Sequence, residues 1–80
     1  MLLNYKECSM EDYVEAINES LKSIDNISTK SLYILYTKYY HDYQSIEKED
    51  NYDFELKFKM RCRRDDLLRE LKKRNIKEIV

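Results

Sequence analysis

The side chains able to carry out chemistry are few and scattered. His41 is the only histidine, and Cys8 and Cys62 are the only thiols in the 80 residues. A nucleophilic or acid–base site needs a base held in a pocket beside its partner. His41 instead follows the helical pattern around it on the polar side, next to Asp42. One imidazole and two distant thiols do not make a closed zinc site. With no glycine in the chain there is no phosphate-cradling loop. Asp50, Asp53 and Glu55 lack the spacing of a calcium loop and read as helix caps. The expectation is a chain that is not an enzyme, with no catalytic residues, metal or cofactor.

What the residues do offer is surface. Lys57, Lys59, Arg61 and Arg63 alternate with apolar residues. On an extended strand they would share one face, about 6.7 Å apart. Arg64, Lys72 and Lys73 extend that patch, which suits a polyanion such as nucleic acid. No aromatic residues interleave with them as base-stacking platforms would, and lysine-rich edges also serve to block strand-to-strand aggregation. Glu11, Glu15 and Glu19 recur every four residues, forming either a solvated helix face or an acidic docking stripe. Five of the eight tyrosines fall between Tyr33 and Tyr43. Tyrosine concentrates where binding energy concentrates, so Tyr33, Ile34 and Tyr40 are taken as a second contact patch. Ile34 is placed there because it points away from the main apolar seam.

The element that must position the basic row is residues 52–63, YDFELKFKMRCR. Tyr52, Phe54, Leu56, Phe58, Met60 and Cys62 take the even positions, and a charge takes every odd one. A period of two predicts a strand with one face in a core, Cys62 included. Propensity points the other way, since Leu, Glu, Lys, Met and Arg favour helix and no Val, Ile or Thr is present. Pattern is given precedence, because burial overrides propensity. Upstream, Ser9 caps a helix with Asp12 three residues on. Its inward seam is Met10, Tyr13, Val14, Ile17, Leu21 and Ile24, and it runs to about Asp25. Ser28 or Thr29 caps a second helix to about Glu49, with Leu32, Leu35, Tyr36, Tyr39, Tyr43 and Ile46 inward. Asp65 or Asp66 opens a third, closed by Asn75. Leu2–Glu7 and Ile76–Val80 read as short extended segments.

The predicted fold is therefore α+β and helix-rich, in the order β-α-α-β-α-β, with a small sheet packed against helices. The alternative is an all-α three-helix bundle with one long helix over 52–76. Eighty residues suit a single small domain, 1–80, that is marginally stable alone. Neither glycine nor proline is present to turn a tight hairpin, so strand 52–63 would pair with a chain end or with a second copy in a homodimer. The unpaired cysteines suit a cytoplasmic protein, and no signal peptide or membrane-spanning segment is evident. Residues 1–53 hold 5 basic and 11 acidic side chains, and residues 54–80 hold 10 basic and 5 acidic. Small size, absent catalytic groups and segregated charge point to a protein-binding regulator or inhibitor. Its style is that of the small phage and mobile-element proteins that block a host factor or defence complex. The alternative function is a nucleic-acid-binding module built on the basic strand 57–63 and the C-terminal helix.

Overall fold

A computed structural model describes residues 2–49 and 53–76. Among these residues the chain forms three α-helices and a single 3-10 turn, with no strand. Helix α1 spans Met10–Glu19, the 3-10 turn Ile24–Asn26, α2 Thr29–Glu47 and α3 Phe54–Lys73. Helix α2 is the hub, with α3 packed along it as one contact and α1 as another. That central position explains an unbroken buried run from Ser31 to Tyr36, Ile34 included. Leu32, Ile34 and Leu35 meet Leu67 and Leu71 of α3, Ala16 of α1 and Ile27 of the connection. Each large aliphatic side chain buried in this way contributes roughly 1.5–3 kcal/mol.

The caps form where serine chemistry predicts them. The Ser9 hydroxyl accepts from the Asp12 N–H at 3.1 Å, and that of Ser28 accepts from the Ser31 N–H at 3.2 Å. Asn75 ends α3 at φ 61°, the left-handed conformation that asparagine tolerates better than most residues. Its N–H donates to the Lys72 carbonyl at 3.0 Å, and the Ile76 N–H reaches back to Leu71 at 3.2 Å. These are the two bonds of a Schellman closure.

The sheet is the principal correction. Residues 54–63, read as a strand, form the first half of a continuous helix, so the all-α alternative describes the chain. Two causes combine. With no turn to bring up a neighbouring strand, an extended segment would leave its backbone groups unpaired, whereas a helix satisfies them internally. Burial also exerts no opposing pull. Phe54 is 80% exposed and Phe58 56%, and Cys62 is exposed as well, so the apolar positions do not line a core. Propensity then decides. Asp53 starts the helix, its carboxylate accepting from the Glu55 N–H at 2.9 Å. A homodimer paired through strand 52–63 goes with the strand. Asp50–Tyr52 and Lys77–Val80, the start of the expected middle strand and most of the terminal one, lie outside the described residues. The segment Leu2–Glu7 is no strand either. Asn4 folds it into a turn, its side-chain oxygen accepting from the N–H groups of Lys6 at 2.9 Å and Glu7 at 3.0 Å.

Helix α1 is rotated relative to its expected seam and stops at Glu19, six residues short of Asp25. It buries Ala16 and Glu19, while Met10, Val14, Ile17 and Leu21 stay exposed. The small Ala16 lets α1 approach α2 closely. Glu19 then meets the α2 N-terminus, accepting from the Ser28 N–H at 3.1 Å, the Ser28 hydroxyl at 3.0 Å and the Ser31 hydroxyl. A carboxylate at a helix N-terminus is stabilised by the N–H groups exposed there.

Candidate functional site

Residues 33, 36, 37, 40, 41 and 44 fall three and four apart on α2 and so share one side of it. The folded N-terminal segment lies against that side. The Tyr5 N–H donates to the Thr37 hydroxyl at 3.1 Å, and the Tyr5 ring leans on His41 with centroids 5.5 Å apart. Between segment and helix is an open groove of about 250 Å³, lined by Asn4, Tyr5, Lys6, Tyr33, Tyr36, Thr37, Tyr40, His41 and Gln44. Its walls are mainly aromatic. The Tyr36 and Tyr40 rings meet at 6.0 Å, and Gln44 donates to the Tyr40 hydroxyl at 3.1 Å.

Cations surround these rings. The ammonium groups of Lys6 and Lys38 lie 5.8 and 5.5 Å from the Tyr5 centroid. From α3, the Arg64 guanidinium stands 4.8 Å from Tyr43 and 6.0 Å from Tyr40. Asp42 is committed to Lys38 at 2.9 Å, a hydrogen bond that raises the lysine pKa. Burial raises the pKa of the Tyr36 hydroxyl above that of an ordinary phenol. The groove is thus an aromatic slot with one cation, Lys6, among its lining residues. At about 250 Å³ it lies below the roughly 300–1,000 Å³ of sites that enclose a drug-sized ligand. It can take one large side chain of a partner.

Of the expected contact residues, Tyr40 borders the groove in the open, whereas Tyr33 lines it from the core at 7% exposure. Ile34 does neither, being 1% exposed in the core. Tyr5, Lys6, Tyr36 and His41 were not anticipated at one site. The three-and-four spacing of the α2 residues signalled their half, whereas only tertiary packing brings the N-terminal segment over it. The acidic stripe is divided, with Glu11 and Glu15 exposed and Glu19 buried in its hydrogen bonds.

The basic row is dispersed. On a helix Lys57, Arg61 and Arg64 share one side and Lys59 and Arg63 another. Several of these cations already have internal partners. Lys57 donates to the Glu49 carbonyl at 2.7 Å, Arg63 to that of Ser20 at 3.2 Å, and Arg64 to Asp65 at 3.1 Å. Lys72 and Lys73 are exposed in the last turn of α3. Cys8 is half-buried, its thiol directed at the Tyr5 carbonyl 3.5 Å away. Among the described residues no helix is long and apolar enough to cross a membrane. No protein-family model, curated protein or solved structure matches the chain.

Proposed function

We propose that this chain is a protein-binding regulator that seats one apolar or aromatic side chain of its partner in the tyrosine groove. The observation carrying the reading is the convergence of Tyr5, Tyr36 and Tyr40 on one open slot with Lys6 at its edge. Tyrosine provides large contact area at low entropic cost, and such clusters concentrate binding energy. Lys6 at the edge of the groove favours a partner segment with a carboxylate beside the anchoring residue. Regulation then follows from occupancy: a partner held through this segment cannot present it elsewhere.

Peptides bearing one Trp or Phe flanked by Asp and Glu, with Lys-flanked counterparts as controls, test the reading by amide and aromatic NMR shifts. Acid-flanked peptides should move Tyr5, Tyr36, Tyr40 and His41, and Tyr40→Ala should weaken them at least about tenfold. Lys6→Glu should reverse the preference between the two peptide sets. Shifts absent from the groove at millimolar peptide would sink the proposal.

A further inference from the structure

The outer side of α1 is apolar. Met10, Val14 and Ile17 lie four and three residues apart and so share one side of the helix, and Leu21 follows in the turn that ends it. This is the spacing of a core seam, yet Met10 is 76% exposed, Val14 49%, Ile17 44% and Leu21 90%. The side packed into the molecule is instead the one with Ala16 and Glu19. The edges of the stripe differ. Glu11, Glu15 and Asn18, all exposed, border one edge, and Tyr13 borders the other. Along the acidic edge runs a shallow depression lined by Met10, Glu11, Val14, Glu15 and Asn18. Among the described residues Glu11 and Glu15 form no ion pair. The cations at hand are committed elsewhere. Lys30 bonds Asp12 at 2.5 Å, with Glu15 acting on it only at longer range, and Lys22 turns to Glu19 at 3.8 Å.

Two carboxylates four residues apart on a helix repel each other, and a cation set between them removes that repulsion. A depression with one apolar wall and one acidic wall fits a lysine or arginine. The methylene stem of such a side chain lies along apolar surface while its charged head reaches a carboxylate. Area points the same way. Taking about 100 Å² per fully exposed aliphatic side chain, the four leave roughly 250 Å² uncovered. A stable interface covers about 800 Å² per partner, so the acidic edge must be covered together with the stripe. The row from Met10 to Leu21 is straight and roughly 16 Å long at 1.5 Å per residue, a form that matches the side-chain ridges of another helix. We infer that α1 docks an amphipathic helix of a second protein. That helix lays its apolar seam along Met10, Val14, Ile17 and Leu21 and sets a lysine or arginine between Glu11 and Glu15. The groove on α2 takes no part, so the inference stands apart from the proposed function.

Two synthetic amphipathic helices with the same leucine seam, one flanked by lysine and the other by glutamate, test it against the full chain. Methyl and aromatic NMR signals report the site, and fluorescence anisotropy the affinity. The lysine-flanked helix should shift the methyl signals of Met10, Val14 and Ile17 and leave Tyr36 and Tyr40 unmoved. Met10→Ser with Leu21→Ser, at the two most exposed positions of the stripe, should weaken it at least about tenfold with the circular dichroism spectrum unchanged. Glu11→Lys with Glu15→Lys should transfer the preference to the glutamate-flanked helix. Equal binding of the two helices would overturn the inference, as would methyl signals that stay still at millimolar peptide. Self-association of the chain that the two serine changes abolish would overturn it too, because the stripe would then belong to a second copy.

Discussion

Glu19 shows how one side chain can be assigned to the wrong environment. Four-residue spacing with Glu11 and Glu15 placed it on a solvated face, but it is 8% exposed and bridges two elements. The Ser31 hydroxyl holds its pKa below the ordinary glutamate value, helped by the backbone and hydroxyl of Ser28 and by Lys22, while burial opposes them. A carboxyl whose folded pKa is depressed adds stability that is complete above its unfolded pKa. That contribution drains away as pH falls through the lowered folded value. Glu19→Gln should cost about 1–3 kcal/mol at neutral pH, because the amide replaces one acceptor oxygen with a donor and leaves a serine unsatisfied. In urea titrations across the acid range, the variant should also lose part of the decline in stability seen for the wild type. Parallel acid limbs for both proteins would contradict this role.

Helix α3 is where pattern and propensity disagreed. Alternation is evidence for a strand only when a core lies on one side and neighbouring strands lie at the edges. Neither is present among the described residues, and Leu, Glu, Lys, Met and Arg assume the helix they prefer. The charge pattern fits once it is read along a helix. Glu55 pairs loosely with Lys59, and Glu70 lies 3.4 Å from Arg74, each four residues apart. Lys72 and Lys73 sit in the final turn, where the macrodipole favours cations. The exposed Lys59 position offers a discriminating substitution. Lys59→Thr should destabilise the protein by roughly 0.5 kcal/mol in a helix, while in a strand the same change would be neutral or stabilising. Urea midpoints of the two proteins decide between them.

The whole molecule depends on a small core. Leu67 and Leu71 of α3 and Leu32 and Leu35 of α2 are almost fully enclosed, and few other large side chains are. Leu67→Ala should cost about 2–5 kcal/mol, from lost transfer energy and the cavity left behind. For a chain of this size that is a large share of total stability. Thermal unfolding followed by circular dichroism checks it, and a shift of only a degree or two would mean that the site collapses around the gap.

Much of this architecture follows from local rules. Ser9, Ser28 and Asn75 mark helix ends because capping is a contact between residues a few positions apart, complete within the segment that carries it. The inward positions Leu32, Leu35, Tyr36 and Ile46 are legible for a similar reason, since α2 has a continuous apolar stripe. Tertiary packing decided the rest. Nothing local distinguishes the exposed stripe of α1 from a core seam. Its burial depends on which face a carboxylate and a small alanine turn toward the neighbouring helix. Nor does local sequence place Tyr5 against Thr37 and His41, because that contact spans more than thirty residues and exists only once the amino-terminal turn has settled on α2.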